Sequence, residues 1–396
     1  LMWSPSRAPE DRIAAVDALR GFALLGILMV NIAFLASGYR MSGLPEPGFD
    51  SGLDWGVRWF VTMFMENKFY LLFSFLFGYS FTLQLDSAAR RGAAFVPMFL
   101  RRLAGLFLLG LAHAVFLFPG DILTTYAVVG LALLVLRGIT PKAALMLAVA
   151  LTAVLALAFV AAAGAAVLGL RVPGATSGGL AQALGADILL RGGPATIVSE
   201  HLHELSVIVV LRVLFQVPAV LAACLVGLAL GKRATLKRPD PRMLRTLQWA
   251  GFTVGIAGQA LHSYSAWSGS GVVLRLLGQA VDLVTAPLLA AAYAATLLRL
   301  LPRITPLGRM LAPPGRMALT NYLGQSLICS LIFTGYGLAL VDKVSPPLEL
   351  LVALAVFAAQ AAFSHWWLRR HRYGPVEWFL RALTHGRLPA KQVQPT

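Results

Sequence analysis

Residues 16–31 read Val16-Asp17-Ala18-Leu19-Arg20-Gly21-Phe22-Ala23-Leu24-Leu25-Gly26-Ile27-Leu28-Met29-Val30-Asn31. The apolar run around this stretch extends from about Ile13 to Ser37, longer than the roughly 20 residues that a helix needs to cross a bilayer. Asp17 and Arg20, three residues apart, share one helix face. Asn31 lies eleven residues deeper, about 16 Å along the axis at 1.5 Å per residue. Charges and amides inside hydrocarbon are costly and tend to mark a function. The competing readings are an Arg20 that snorkels to the interface or is tied to Asp17, and an Asn31 that packs helices.

The rest of the chain follows the same pattern. It has 396 residues, is 58% hydrophobic and only 13% charged, and has a mean hydropathy of +0.75. These values describe a polytopic membrane protein. The formal charge of +16 falls in short clusters between apolar segments, with no basic groove or RNA-binding motif, so a nucleic-acid partner is not expected. Cys224 and Cys329 each sit inside an apolar segment and imply neither a disulfide framework nor a thiolate metal site. The first apolar run is too long for a cleavable signal peptide.

The expected fold is all-α, a single integral membrane domain over 1–396. It comprises a cytoplasmic segment 1–12, a bundle 13–368 and a cytoplasmic tail 369–396. About ten spans are expected near 13–37, 66–85, 97–118, 121–137, 143–170, 206–231, 246–267, 272–298, 317–340 and 348–368. Residues 51–65 read as an interfacial helix with Trp55 and Trp59 as headgroup anchors. With the N-terminus inside, every Lys and Arg lies on the inner side except Arg40, Arg58, Lys68, Arg171, Arg191, Arg212, Arg275 and Lys343. The positive-inside rule therefore places both termini in the cytoplasm. Outside, the connection 171–205 ends in Glu200-His201-Leu202-His203-Glu204. Two histidines two residues apart point to different sides of a helix, so a solvated outer face is expected there and no metal.

Several polar groups gather in the outer half of this topology: Asn31, Glu66, Lys68, His113 and Asp121, the last just after the Pro119-Gly120 turn. A titratable imidazole beside a carboxylate is the minimum equipment for general-base catalysis on a hydroxyl or amine. The bland alternative is a buried His113 satisfied by a backbone carbonyl. His113 is expected within about 5 Å of a carboxylate, in a cavity shared with Asn31. A deeper group comprises Asp282 with Gln279 on the same face, Asn321 and Gln325 four apart, and Gln216 before Pro218, where a kink would open backbone groups to a cavity. Together these suggest a polar tunnel to the outer cluster, although interhelical hydrogen bonding alone explains many such amides. His262, His365, His371 and His385 are read as interfacial. No phosphate loop, serine nucleophile elbow or zinc-protease motif is visible.

The stretch 16–28 with Asn31 resembles the opening of the YeiB-like family of bacterial membrane proteins. So do Lys68-Phe69-Tyr70 with Phe73-Ser74-Phe75-Leu76-Phe77-Gly78, and Gly110-Leu111-Ala112-His113 followed by Gly120-Asp121-Ile122-Leu123. Further matches are Gly315-Arg316-Met317-Ala318-Leu319-Thr320-Asn321-Tyr322 with Gln325-Ser326, and Gly374-Pro375-Val376-Glu377-Trp378 ending Arg381-Ala382-Leu383-Thr384. That family is similar to a superfamily of transmembrane acyltransferases that includes heparan-α-glucosaminide N-acetyltransferase and the acyltransferase-three proteins. In the bacterial sugar acylators an Arg is followed after ten residues by a catalytic His. Here Arg20 leads to Asn31, as in the heparan enzyme, whose His follows in the outer loop. No His occurs between Asn31 and His113 in this chain.

The resemblance implies acyl transfer from a cytosolic acyl-CoA, with acetyl-CoA the first candidate, to a small-molecule or saccharide acceptor outside. No covalently bound cofactor is implied, and a homodimer is compatible with it. Arg20, Arg101, Arg102 and Arg316, with Asp17 beside them, would receive the CoA phosphates. His113, oriented by Asp121, would be the base, and Asn31 or Lys68 would stabilise the oxyanion, with Glu66 nearby. The rival function is a secondary transporter or flippase using the same tunnel, with Asp282 as a proton or cation site. A lipid-binding scaffold without turnover is the third. The expected location is the bacterial cytoplasmic membrane.

Overall fold

A computed structural model describes residues 9–41, 44–170, 179–237, 239–269 and 271–386. Most of the expected segment 1–12, the start of the 171–205 connection and the last residues of the tail lie outside these. Every element among the described residues is a helix: α1 (Pro9–Ala36), α2 (Gly38–Met41), α3 (Gly52–Phe64), α4 (Lys68–Arg90), α5 (Phe95–Phe116), α6 (Leu123–Val135), α7 (Pro141–Val167), α8 (Gly179–Leu190), α9 (Pro194–Leu211), α10 (Val217–Lys232), α11 (Pro241–Ala250), α12 (Ile256–Trp267), α13 (Gly271–Leu300), α14 (Thr305–Arg316), α15 (Ala318–Phe333), α16 (Pro346–Leu368) and α17 (Pro375–His385). Seven stretches are long and apolar enough to cross a membrane; they lie in α1, α3–α4, α5, α7, α9–α10, α13 and α16. The chain is a multi-pass membrane protein.

The α1 helix runs through the centre, with Ala18, Leu19, Ala23, Leu24, Leu28 and Ile32 essentially sealed. Without a hydrophobic drive between helices in lipid, close backbone approach must come from small residues. Gly21 and Gly315 supply it for α1 and α14. A Cβ on Gly21 would run into the Leu311 carbonyl oxygen, and one on Gly315 into that of Asp17. Gly78 and Gly227 do the same for α4 and α10, against the carbonyls of Cys224 and Phe75.

Pro218 shapes the sixth span. Its missing N–H cannot continue the ladder, and the helix widens just before it: Val217 N donates to Arg212 O, five residues back. The result is one rod from Pro194 to Lys232 with a π-turn at Arg212–Gln216, which begins a dozen residues before the expected start. A second π-turn at Gly251–Gly255 joins α11 to α12.

Two expectations are corrected. The tail does not leave the bundle at 369: α17 packs on α5, where a Cβ on Gly105 would meet Leu380 and Leu383. And Glu200, His201 and Glu204 form a buried face of α9 rather than a solvated one; only His203 of the two histidines is exposed. The His201 Nδ1–H donates to Val115 O at 3.0 Å, tying α9 to α5.

The amphipathic α3 forms as expected. Its first turn is fixed by a reciprocal capping box, with Ser51 Oγ accepting from Asp54 N and Asp54 Oδ2 from Ser51 N. Its tryptophans turn to α12. Trp55 meets Trp267 edge to face at 6.0 Å, and Trp59 lies 6.4 Å from Tyr264.

Candidate active site

Arginines from α1, α5, α14 and α17, with Arg91 just after α4, meet around a cavity of about 480 Å³. Arg20, Arg91, Arg102, Arg316 and Arg381 line it with His385. Arg20 is half-buried and held in place, donating to Asp17 Oδ1 at 2.7 Å and to Ser80 Oγ at 2.5 Å. Asp17 is thus a positioning partner. The Nε of Arg102 is buried with no hydrogen-bond partner among the described residues. Arg101 is exposed and does not line the cavity. Burial and the neighbouring Arg381, Arg91 and Arg102 push the His385 imidazole below its ordinary value.

Beside Asp17, a second carboxylate faces these cations and lines the cavity, that of Glu377. Glu377 Oε1 accepts from the backbone N–H groups of Leu319 and Thr320, at 2.7 and 3.0 Å, and Oε2 accepts from Thr320 Oγ1. It caps the otherwise unsatisfied start of α15. Burial raises the Glu377 carboxyl above its usual range, against the lowering effect of these hydrogen bonds.

Above the arginines the lining turns apolar and aromatic, through Leu24, Ile27, Phe73 and Phe77, and ends at Ile122, Leu123, Tyr126 and Tyr322. Immediately behind that wall lies His113. Its Nδ1 is 2.9 Å from Asp121 Oδ1 and its Nε2 is 2.8 Å from Ser326 Oγ. The Tyr322 ring centroid stands 5.0 Å from the imidazole. Asp121 is itself fixed, its Oδ2 accepting from Thr124 N and Oγ1 at 2.8 and 2.9 Å. Gly110, one turn before His113, admits this approach: a Cβ there would sit 2.8 Å from Asp121 Oδ2. His113, Asp121 and Ser326 are all buried. His113 therefore lies beside its carboxylate but does not line this cavity, and neither does Asn31, so this cavity is not the shared one expected.

The other sequence candidates lie elsewhere. Lys68 is fully buried, with Nζ donating to Thr62 O at 2.9 Å and lying 4.0 Å from Asp282 Oδ1. Asp282 also accepts from Asn67 and Gln259, at 2.8 and 2.9 Å. Asn321 donates to Pro314 O and Ser364 Oγ, closing the α14–α15 junction, and Gln216 accepts from Thr125 at 3.5 Å. The single tunnel through Asp282, Asn321 and Gln216 gives way to three separate contacts between helices. The Nε2 of Gln325 is buried with no partner among the described residues. Glu66 borders a second cavity of about 190 Å³ at the opposite end of the bundle, with Thr62, His262, Arg275 and Gln279. The Nδ1 of His262 is buried and unpartnered among the described residues, so this histidine is a cavity group and not an interfacial one.

Comparison with known proteins gives the chain its relatives. A family model described as "Protein of unknown function (DUF418)" matches residues 230–387. YxaH of Bacillus subtilis (strain 168) is 34% identical over 394 residues, covering 95% of each chain. A 39.9 kDa protein encoded in the amylase 3′ region of Bacillus acidopullulyticus is 32% identical over 388 residues, covering 96% of each. YeiB of Escherichia coli (strain K12) is 30% identical over 393 residues, covering 94% of this chain and 96% of its own. The chain belongs to the YeiB-like family.

In this YeiB-like chain the residues that sequence reasoning passed over are Ser326, Tyr322, Arg91, Glu377, Arg381 and His385. Tyr322, Ser326, Glu377 and Arg381 sit inside the motifs that carry the family resemblance. What was missing was the packing of α17 against α5, which turns a basic tail into a cavity wall.

Proposed function

We propose that this YeiB-like protein transfers an acyl group from a cytosolic acyl-CoA to a hydroxyl or amine acceptor on the other side of the bacterial cytoplasmic membrane. The supporting observation is the polarity of the large cavity: five arginines at its mouth, an apolar aromatic shaft, and a His–Asp pair one side-chain layer beyond its blind end. Arg102 and His113 are eleven residues apart on α5, about 16 Å along the axis. Phosphates of a nucleotide would be held by the guanidiniums, and the acyl-bearing arm would fill the shaft. The cations give affinity and the shaft gives length.

The topology that serves this reading has ten crossings. To the seven long apolar stretches it adds the shorter helices at 123–138 and 318–333 and the α11–α12 rod, with α3–α4 crossing once. Both termini, α14 and α17 are then cytosolic, as is the arginine mouth. The acceptor arrives from the opposite end, where Phe34 borders the second cavity. Arg20, Leu24, Ile27, Asn31 and Phe34 fall on one face of α1 at helical spacing, which places Asn31 between the two cavities.

Isothermal calorimetry with acetyl-CoA and longer acyl-CoAs on the detergent-solubilised protein tests the donor. Binding that weakens at least tenfold in Arg20→Ala and in Arg102→Ala is the expected result. No binding of any acyl-CoA would overturn the assignment. Counterflow of a labelled solute in proteoliposomes would then make the secondary-transporter reading the better one.

A further inference from the structure

A base acts on the proton within its hydrogen-bond reach. For His113 that proton is not on an acceptor in the cavity. Nδ1 is taken by Asp121 at 2.9 Å, and Nε2 meets Ser326 Oγ at 2.8 Å, its hydrogen-bond partner among the described residues. We infer that Ser326 is a nucleophile activated by His113 and Asp121, and that the acyl group rests on it as an ester before reaching the acceptor. The inference deepens the acyl-transfer reading and rests on it for the identity of the donor.

The arrangement fulfils the geometric signature of an activated serine: nucleophile on base, base on an orienting carboxylate, carboxylate fixed in turn. Asp121 carries the last role through its two bonds from Thr124. The three side chains come from α15, α5 and the turn before α6, so the constellation is tertiary and not a helix-local bond. Tyr322 lies one turn before Ser326 on the same face of α15. It lines the blind end of the cavity and packs on the imidazole. Ser326 is buried behind it, and rotation of the Tyr322 side chain opens the serine to the shaft. The Tyr322 hydroxyl oxygen accepts from Ile122 N at 3.4 Å, which leaves its own proton to donate to a developing oxyanion.

The first step forms the Ser326 Oγ–acyl bond and breaks the thioester C–S bond. His113 Nε2 takes the Ser326 proton and delivers it to the departing thiolate, releasing free CoA. In the second step an acceptor hydroxyl or amine attacks the ester. Its proton passes to His113 and then to Ser326 Oγ, which restores the serine. No oxidant, reductant or metal enters the balance.

Two reagents separate this inference from the reading beneath it. A long-chain alkyl fluorophosphonate needs only an activated serine at the end of an apolar shaft: the Oγ–P bond forms as fluoride leaves. The intact protein should carry one adduct, located on Ser326 by peptide mass spectrometry, absent in Ser326→Ala and reduced at least a hundredfold in rate in His113→Gln. Thermal melting of both variants checks that they fold. Acetyl-CoA without acceptor should give one equivalent of free CoA and an acetylated Ser326, and Ser326→Cys should shift the label to a hydroxylamine-labile thioester. A wild-type protein that leaves Ser326 unmodified by both reagents overturns the inference. So does acyl transfer that persists undiminished in Ser326→Ala, an outcome that leaves the acyl-transfer reading standing. Labelling by fluorophosphonate with no response to any acyl-CoA would instead retain the nucleophile and remove the donor.

Discussion

Glu377 on α17 accepts from the backbone N–H of Thr320, at 3.0 Å, and from its hydroxyl as well, so a helix near the end of the described chain caps the helix that carries Ser326. Loss of a capping side chain costs about 1 kcal/mol, up to about 2. Glu377→Ala should therefore lower the melting temperature by a few degrees and weaken acyl-CoA binding, because α17 is a wall of the cavity. Glu377→Gln, which keeps an acceptor oxygen, should fall between the two. Melting curves with and without acetyl-CoA measure both effects.

The His385 imidazole is pushed down by burial and by Arg381, Arg91 and Arg102. It therefore takes up its proton at a lower pH than an ordinary imidazole does. A bound polyanion offsets the surrounding cations and raises its pKa, so binding takes up a proton. Acyl-CoA affinity should rise as pH falls from about 8 to about 5.5, through the ordinary His range. In His385→Gln the slope that remains belongs to the ligand's own phosphates. Calorimetry at several pH values in both proteins gives the difference, and identical slopes would remove His385 from the site.

Asp121 holds His113 through Nδ1 and should set its tautomer. Asp121→Asn keeps the shape and loses the charge that stabilises the imidazolium, so turnover should fall by about 10³ to 10⁴ while acyl-CoA affinity stays within twofold. His113→Ala should abolish turnover and spare nucleotide binding equally. A parallel loss of binding would mean that the pair supports the cavity wall rather than the chemistry.

Lys68 and Asp282 form a different kind of pair. Both are buried, 4.0 Å apart, with Gln259 and Asn67 completing the carboxylate's partners. Removing one partner of a buried pair strands the other at about 3–5 kcal/mol. Lys68→Met alone should strongly reduce the folded yield; Lys68→Met with Asp282→Asn should restore most of it. If the pair carried protons in a transport cycle, the double variant would be folded and inactive, and an acyl-transfer assay on it distinguishes the roles.

The Gly21–Gly315 approach of α1 and α14 has no room for a methyl group on either side. Gly315→Ala should force α14 away from Asp17 and loosen Arg20 and Arg316 together. A fall in stability of about 1–3 kcal/mol, with weaker acyl-CoA binding, is expected from chemical unfolding and calorimetry.

The long spans were legible because a run of apolar residues in lipid has little choice but a helix. The α3 helix was legible as a helix, although its tryptophans pack on α12, and the His113–Asp121 pair was legible from an eight-residue separation across a tight turn. Short amphipathic helices such as α14 and α17 share their composition with basic loops, and only the glycines on their partners, Gly21 and Gly105, betray the docking. Ser326 stands 213 positions from His113, and no local pattern links residues so far apart. In the sequence Lys68 and Asp282 read as separate costly charges, and only the fold brings them within 4.0 Å of each other. The tunnel drawn through Asp282 failed for that reason.

The cavity has one further property that follows from where its walls come in the chain. Arg20 belongs to α1 and His385 to α17, so the two walls leave the ribosome far apart in time. Until synthesis has passed His385 the arginines of α1, α5 and α14 face one another across an open cleft, without the Glu377 carboxylate among them. The hydrophobic shaft is likewise unroofed on the α17 side throughout insertion. A truncated or stalled product therefore has the membrane helices but no container. Competence to hold a ligand arrives only when α17, made after every other wall of the cavity, docks on α5 and α15.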